Sequence, residues 1–453
     1  MFKKVTIFLP VETFSRELPY KAPLAVILAS FGYKVLIGRQ QELRLYWFNR
    51  KKFFYIDKSS AKTKFNLYQD IKNCGGGIGV FCEEGLVYRT KKQYISERVF
   101  KKSFELIDIF WCWGNRQYND LSGDFNPKKL KIIDSPRLAI INNIKDKYIS
   151  KVKKKNILFL TSFGRSDKNT DSKLNTQLKI LKSRGTYNPN IGEYFYEDWE
   201  KYNINYKKEF LDLIKLCAKS FPEINFEIRV HPTEMKDKYS KLVKRYNNIT
   251  FSKFSTSLKS IVNNDIVVSP ISTTAIESTL INNKSIVYAP KYDSRFEPNL
   301  ITDSCKLIRK KSEVIAYIRE KHMISQNSEL GNSQLSKFMS MKENDSQVIL
   351  KNYALSIIHY LEKISYEPKI SNIYIRFKYF LKSNFRNILY SLKIKKEKDN
   401  ISSKCFSIKK HDIIKYVKDF MSDNDEFNDI NLKYNFKRES NNIYEISSKQ
   451  NKY

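Results

Sequence analysis

Residues 265–281 read DIVVSPISTTAIESTLI and contain one strand-to-helix unit. The first five residues form a short, apolar, valine-rich run that stops at a proline, which is typical of a buried strand. After a polar loop, apolar residues at helical spacing predict a helix from Thr274 to Ile281. A strand that passes through a polar loop into a helix is the repeating unit of parallel α/β sheets.

The same alternation continues in both directions from this unit. Strands are predicted at residues 5–9, 34–37, 78–82, 109–113 and 130–133, and at 156–161, 225–230, 248–251, 265–269 and 285–289. Helices are predicted between them, at residues 19–31, 206–219, 234–246 and 274–281, and Gly32 is predicted to end the first of these helices. The pattern predicts an α/β fold with two doubly wound, Rossmann-type domains that face a cleft.

A polar, lysine-rich stretch separates the two sets of strands. The chain has 453 residues, which is too many for one ordinary core, since domains usually hold about 100 to 200 residues. We therefore predict an N-terminal Rossmann-like domain at 1–139, a linker at 140–155, a C-terminal Rossmann-like domain at 156–365 and an extension at 366–453.

The composition is that of a folded protein. It is 41% hydrophobic and 14% aromatic with only 13 Gly and 12 Pro, which excludes disordered and collagen-like chains. We expect neither export nor membrane spanning, and hence a cytoplasmic location, because no apolar run reaches about 18 residues. Six scattered cysteines form no CxxC pair, so neither a zinc site nor a disulfide framework is expected.

The formal net charge of +34 favours anionic partners such as nucleotides, acidic saccharides or membrane lipids. Nucleic-acid binding is one alternative, but the basic residues are spread along the chain and no RNP, KH or helix-turn-helix pattern is present. A compositional origin of the lysine excess, in an AT-rich genome, is the other alternative. We expect no nucleic-acid partner.

Polar loops that follow predicted strands are the candidate functional residues, since ligands bind at the carboxyl ends of parallel strands. Glu83-Glu84-Gly85 follows the strand at 78–82, and one of its two carboxylates can serve as a general base. A solvated acidic turn, with Gly85 supplying a positive φ, is the structural alternative.

His231-Pro232 follows the strand at 225–230. An imidazole at this position can donate a hydrogen bond to a phosphate and neutralise it as it departs. A turn histidine beside a rigid proline is the alternative.

Ser272, Thr273 and Thr274 open the helix of the quoted stretch. Free amides and hydroxyls at a helix N-terminus form a phosphate site. Thr274 with Glu277 also fits a capping box, which is a purely structural use of the same residues.

Together these loops resemble the motif set of bacterial sialyltransferases and their relatives. Over residues 3–289 the chain is more closely similar to the surface carbohydrate biosynthesis glycosyltransferase family. The matching pieces, in the family's order, are Pro10-Val11-Glu12, Ser15-Arg16-Glu17, residues 32–38, residues 83–87, Trp113-Gly114, Pro136-Arg137, His231-Pro232 and residues 272–277.

The resemblance implies the GT-B architecture and a CMP-activated acidic sugar, a nonulosonic acid or a related 3-deoxy sugar. By this carry-over, His231 binds the CMP phosphate and assists its departure. The donor site also includes Pro232 and the hydroxyls of residues 272–274, which hold the same phosphate from the helix end. Glu277 is a candidate ribose contact.

The resemblance assigns the acceptor to the N-terminal domain and the nucleotide sugar to the C-terminal domain. Glu84, or Glu83 in its place, would deprotonate the acceptor hydroxyl. Arg16 would bind an acidic acceptor or the sugar carboxylate bidentately. A glycan or lipid-linked glycan acceptor is expected, which is compatible with a peripheral position on the inner face of the plasma membrane.

The chain departs from the family at two places. The acidic turn has glutamate where aspartate is common, and Asp134-Ser135 replaces a Gly-Asn pair before Pro136. The only Asp-x-Asp sequence, residues 423–425, lies in the polar tail away from any predicted strand end, so no metal or other cofactor is expected. A CDP-polyol phosphotransferase of the teichoic-acid type is the alternative enzyme, although no second histidine motif supports it.

Residues 368–396 contain eight basic residues and no acidic one. Tyr374, Phe377, Leu381 and Phe385 recur at spacings of three and four, followed by Ile388 and Leu392, which predicts a basic amphipathic helix. Such a helix can lie on an anionic membrane. The alternative is a terminal helix whose apolar stripe packs on the second domain.

Overall fold

The computed structural model describes residues 5–148, 156–163, 182–183, 187, 193–232, 234–322, 332–363, 373–391, 407–421, 430–440 and 442–449. These divide into two units. The first unit takes in the chain up to Glu84, the segment Arg98–Ile140 and the chain from Ser340 onward. The second unit comprises Gly85–Glu97 and Ile141–Met339.

The first unit is built on an eight-stranded sheet. Its strands are β1 (Thr6–Val11), β2 (Lys34–Arg39), β3 (Phe53–Asp57), β4 (Gly77–Phe81), β5 (Ile109–Cys112), β6 (Leu130–Ile132), β13 (Tyr434–Ser440) and β14 (Ile443–Ser448). The order across the sheet is β13-β14-β2-β1-β3-β4-β5-β6. Strands β1 to β6 are parallel, whereas β14 runs antiparallel to β2 and β13 antiparallel to β14.

The second unit has a six-stranded, wholly parallel sheet. Its strands are β7 (Ile157–Leu160), β8 (Phe226–Arg229), β9 (Ile249–Phe251), β10 (Ile266–Ser269), β11 (Ser285–Tyr288) and β12 (Leu307–Ile308). The order is β12-β11-β10-β7-β8-β9. Counted from β7, this is the strand order of nucleotide-binding Rossmann sheets, and the winding direction reverses between β7 and β10.

Helices connect the strands and cover the sheets. They are α1 (Phe14–Ser30), α2 (Gln40–Leu43), α3 (Phe65–Asn73), α4 (Lys91–Arg98), α5 (Lys101–Leu106), α6 (Asn115–Ser122), α7 (Pro136–Tyr148), α8 (Glu193–Ser220), α9 (Asp237–Arg245), α10 (Ser257–Val262), α11 (Thr273–Ile281), α12 (Asn299–Ser304), α13 (Lys311–Lys321), α14 (Asn332–Leu335), α15 (Ser346–Lys363), α16 (Ile373–Ser391), α17 (Lys410–Met421) and α18 (Ile430–Lys433). The predicted α/β class with two Rossmann-type domains is confirmed. No helix in the described ranges combines the length and the apolarity that crossing a bilayer requires.

Gly32 ends α1 as the sequence predicts. Its φ of 84° lies in the left-handed region, where glycine carries no side-chain penalty. Its amide donates to Ala29 O at 2.9 Å, and the Tyr33 amide donates to Leu28 O at 3.3 Å. This paired arrangement satisfies two terminal carbonyls of the helix and turns the chain into β2.

The predicted domain boundaries need correction in the C-terminal half. Helix α15, assigned to the domain at 156–365, packs on the first sheet, where Trp111 Nε1 donates to Ser356 Oγ at 2.9 Å. The chain re-enters the first unit at Ser340, whose amide donates to Trp113 O at 2.6 Å. The carboxylate of Asp134 accepts from the Glu343 amide at 2.9 Å and holds the same crossing point.

The described residues of the extension predicted at 366–453 also belong to the first unit. Strand β14 pairs with β2, and β13 then covers β14. Without β14, β2 would present unpaired backbone groups at the sheet edge, which pairing satisfies. The predicted linker at 140–155 is helical as far as Tyr148, within α7, and the rest of it lies outside the described residues.

Candidate functional site

The first candidate site lies at the carboxyl edge of the first sheet. The winding direction reverses between β1 and β3, which is where open α/β sheets bind ligands. Glu12 follows β1 and Lys58 follows β3, and Lys58 Nζ lies 2.6 Å from Glu12 Oε2. Helix α1 and the loop after β4 add further charged side chains to this edge. The edge therefore concentrates ionisable groups at the topological switch point.

A buried ion pair within α1 is also hydrogen-bonded to the residues that precede the helix. Glu17 and Lys21 are 2% and 4% exposed, and their charged atoms lie 2.7 Å apart. Glu17 also accepts from the amides of Glu12 and Thr13, at 3.1 and 3.0 Å. Burial alone raises the pKa of Glu17, but Lys21, Lys58 and these hydrogen bonds outweigh it and lower the pKa to about 2. Glu17 thus organises the loop rather than serving as a base.

Replacing Lys21 with methionine should destabilise the protein by about 3 kcal/mol, because the buried Glu17 carboxylate loses its partner. Glu17 has a lower pKa in the folded chain than its ordinary value of 4.5, so the folded state binds fewer protons. The contribution of the ionised Glu17 to the free energy of unfolding is present at neutral pH and is lost as the pH falls from about 4.5 towards 2. Urea unfolding at neutral and acidic pH measures this difference.

Lys215→Met is the matched control for that variant. Lys215 forms an ion pair with Asp212 whose side chains are 43% and 36% exposed, and a surface pair of this kind contributes at most about 1 kcal/mol. Equal destabilisation by the two variants would contradict the role given to the buried pair.

Glu83 is the buried member of the acidic turn, at 3% exposed. Its carboxylate accepts a hydrogen bond from the Tyr20 hydroxyl on α1. Burial and the neighbouring Glu83 charge raise the pKa of Tyr20 well above its ordinary value, so this phenol keeps its proton and donates. Glu83 is therefore committed to an internal contact.

Glu84 has a different environment one residue later. Its side chain is 39% exposed and forms an ion pair with Arg98, the last residue of α4. Burial lowers the pKa of Lys58, but the charges of Glu17, Glu12 and Glu84 outweigh it and raise the pKa above its ordinary value. The accessible carboxylate of the turn therefore lies in cationic surroundings.

Arg16 joins the acidic turn from the first turn of α1. Its Nη2 donates to Glu83 O at 2.7 Å, and its Nε lies 3.9 Å from Glu83 Oε2. Arg137 Nη1, at the start of α7, donates to Arg16 O at 3.0 Å. Three separate pieces of the sequence motif set thus meet at one edge of the first unit.

The second candidate site is the carboxyl edge of the second sheet. His231 follows β8, Thr161 follows β7 and Ser272 follows β10. These three strands are neighbours in the order β10-β7-β8, so the outer two lie about 10 Å apart. The predicted donor loops are therefore brought to the same edge, on both sides of the point where the winding reverses.

A buried network fixes the backbone at His231. The Thr161 hydroxyl accepts from the His231 amide at 2.9 Å and donates to Glu234 Oε1 at 3.0 Å. Glu234 Oε1 also accepts from the Phe163 amide at 2.7 Å, and Oε2 accepts from the Tyr239 hydroxyl. Burial raises the pKa of Glu234, although these hydrogen bonds oppose the shift. The His231 side chain is half-buried and hence lies outside the apolar core, while Pro232 beside it is exposed.

The loop after β10 differs from the predicted capping box. Helix α11 begins at Thr273 with Ser272 as its N-cap, so Thr274 lies inside the first turn and does not cap. The Ser272 side chain makes no capping hydrogen bond and instead donates to Pro270 O and Thr274 Oγ1, each at 3.3 Å. The capping-box alternative is therefore wrong, because a helix capped by Thr274 would begin two residues later than this one does.

Tyr206 on α8 holds the loop after β10 through its hydroxyl. Its hydroxyl accepts from the Ile271 amide at 3.1 Å and donates to the Tyr288 carbonyl at the end of β11. Ser272, Thr273 and Thr274 are half-buried, whereas Glu277, on the second turn of α11, is only 5% exposed. A ribose contact from Glu277 would have to reach this small exposed fraction.

Several residues of the two edges were missed by the sequence analysis. Lys58 was missed because β3, an aromatic run flanked by lysines, was not predicted as a strand. Tyr20 and Arg98 lie in helices, where only the tertiary fold directs them to the acidic turn. Thr161 and Glu234 could have been suspected from the sequence, since each is close to the end of a predicted strand, but no motif marks them.

Among the described residues, no group of three or more His, Cys, Asp or Glu side chains is placed to hold a metal ion. The sequence Asp423-Asn424-Asp425 lies outside the described residues.

No protein-family model matches the chain, and no curated protein matches its sequence. Among solved structures, it is similar over 80% of its length to 91% of a wall teichoic acid polymerase variant soaked with CDPG, at 10% identity and a TM-score of 0.48. It is similar over 80% of its length to 99% of UDP-GlcNAc 2-epimerase from Neisseria meningitidis bound to UDP-GlcNAc, at 14% identity and a TM-score of 0.44. A third likeness covers 72% of this chain and 61% of the pneumococcal O-GlcNAc transferase in complex with UDP and GlcNAc, at 11% identity and a TM-score of 0.38. At these values the likeness carries no argument about donor or acceptor.

Proposed function

We propose that the protein is a glycosyltransferase that moves an acidic sugar from a CMP donor to a surface-glycan acceptor. The sugar class is a nonulosonic acid or a related 3-deoxy sugar. The observation that carries the proposal is the second sheet, which has the strand order of nucleotide-binding Rossmann sheets and places His231 and Ser272 on the two sides of its switch point.

The donor phosphate is assigned to the second unit. The N-terminus of α11 presents backbone amides and a positive dipole end, and Ser272 and Thr273 add hydroxyls. His231 supplies a hydrogen-bond donor from the loop after β8, with its backbone fixed through Thr161 and Glu234. Together these groups can stabilise the negative charge that grows on the phosphate as CMP leaves. The proposed chemistry involves no metal ion.

The acceptor is assigned to the first unit. In the transfer step the acceptor oxygen bonds to the anomeric carbon of the sugar, and the bond from that carbon to the CMP phosphate oxygen breaks. The acceptor proton passes to a carboxylate, for which Glu84 is the better candidate because Glu83 is buried against Tyr20. Arg16 and the nearby Lys58 supply positive charge for an acidic acceptor or the sugar carboxylate.

A lipid-linked glycan acceptor would lie at a membrane surface. We therefore include peripheral association with the inner face of the plasma membrane in the proposal.

CMP should raise the melting temperature of the protein by about 5 °C at saturating concentration, because a ligand that binds only the folded state stabilises it. The measurement is a thermal-shift panel of CMP, CDP-glycerol, UMP, UDP and GDP. A shift with uridine or guanosine nucleotides and none with CMP would overturn the donor assignment, and a shift with CDP-glycerol alone would indicate the polyol-phosphate alternative.

A double variant locates the binding. Ser272→Ala with Thr273→Ala should weaken the CMP shift, since both hydroxyls are assigned to the phosphate. Thr302→Ala, at a half-buried threonine on α12 of the same unit, is the matched control and should leave the shift unchanged. A CMP shift that survives the double variant intact would remove the helix end from the donor site.

A further inference from the structure

As far as Phe385, where its described side chains end, helix α16 is fixed to the first unit along one side. Arg376 donates to three backbone carbonyls, including Arg50 O at 2.9 Å and Cys74 O at 3.0 Å. The Tyr379 hydroxyl donates to Asp70 Oδ2 at 2.9 Å, and its ring lies 4.6 Å from that of Trp47. The predicted alternative, in which the helix packs on the second domain, is wrong, because these contacts hold it on the first unit.

The opposite side of α16 is exposed. Tyr374, Phe377, Leu381 and Phe385 are 76%, 55%, 50% and 64% exposed, and their spacing of three and four places them on one face. With Ile373 and Phe380, this helix carries six of the twelve exposed large apolar side chains in the described ranges. Isolated exposed apolar residues are ordinary on a protein surface, but a group of this kind marks an interaction surface.

The charge around this face favours an anionic phospholipid surface over a second copy of the chain as its partner. Residues 368–396 contain eight basic residues and no acidic one, and Lys382 is exposed beside the apolar group. A second copy of the chain would bring the same positive charge against itself, which opposes pairing. An anionic phospholipid surface offers both the complementary charge and an apolar layer for the aromatic rings.

We infer that the face of α16 formed by Tyr374, Phe377, Leu381 and Phe385 docks on an anionic phospholipid bilayer. The helix lies in the plane of the interface, with the side chains of Tyr374, Phe377, Leu381 and Phe385 among the acyl chains and Lys382 at the headgroups. The Arg376 and Tyr379 contacts hold the first unit to the helix, so docking brings that unit to the membrane. This inference does not depend on the identity of the donor nucleotide.

The test is co-sedimentation of the full chain with vesicles of phosphatidylcholine and phosphatidylglycerol, with vesicles of phosphatidylcholine alone for comparison. The protein should pellet with the anionic vesicles and be released by salt. The triple variant Phe377→Ser, Leu381→Ser and Phe385→Ser should lower the bound-to-free ratio by about tenfold or more. Lys382→Glu should lower it by a smaller factor.

Control variants elsewhere on the surface test whether vesicle binding depends on this face of α16 or on exposed apolar and charged residues in general. Tyr194→Ser with Met235→Ser removes exposed apolar side chains of the second unit, and Lys101→Glu reverses an exposed charge on α5. Both should bind vesicles as the unaltered chain does, and circular dichroism should show all variants folded. Equal binding by the triple variant, or equal binding to both kinds of vesicle, would overturn the inference. So would a dimer in light scattering that the triple variant abolishes without any change in vesicle binding.

Discussion

His231→Ala should lower the rate of sugar transfer by about a hundredfold or more, because a single positioned donor to a developing negative charge contributes this much. The fold should be unaffected. The side chain is half-buried, and the contact that fixes the loop is made by the His231 backbone amide with Thr161, which alanine retains. Initial rates with a CMP donor and a melting curve test the two halves of this expectation.

His359→Ala is the control for that variant. His359 is exposed on α15 in the first unit, so its removal should change neither rate nor stability. Undiminished turnover of His231→Ala would reduce His231 to a turn residue. A large loss of melting temperature would instead show that the imidazole supports the fold.

Glu84→Gln should lower transfer by roughly a hundredfold to ten-thousandfold, the range that a general base contributes. Glutamine keeps nearly the same shape but cannot accept the proton from the acceptor hydroxyl. CMP should still bind, since the nucleotide is assigned to the second unit. The measurement is transfer rate together with the CMP-induced melting shift.

Glu83→Gln should reduce the rate much less, because the amide oxygen can still accept from Tyr20 in the buried contact. Glu105→Gln, at an exposed carboxylate on α5, is the surface control. If Glu83→Gln proves the more damaging change, the base is Glu83. If neither change affects the rate, the acidic turn has no part in proton transfer.

The sequence determined the α/β class and most of the strands because short apolar runs and helical periodicity are local signals. It located α11 to within one residue and correctly predicted the Gly32 stop, since a positive φ after a helix has a local signature. It also placed Glu83-Glu84, His231 and Ser272 at strand ends. These assignments need no knowledge of which strands are neighbours.

Tertiary structure decided what local patterns do not encode. The strand order brings the loops after β7, β8 and β10 to one edge, and it sets Lys58 beside Glu12. The tertiary fold also gives the two adjacent glutamates different environments: Glu83 is buried and accepts from Tyr20, whereas Glu84 is accessible and pairs with Arg98. It also returns β14 to pair with β2 and fixes which side of α16 is covered. Each of these depends on contacts between residues far apart in the chain, because pairing and burial are properties of the assembled sheet and not of any one segment.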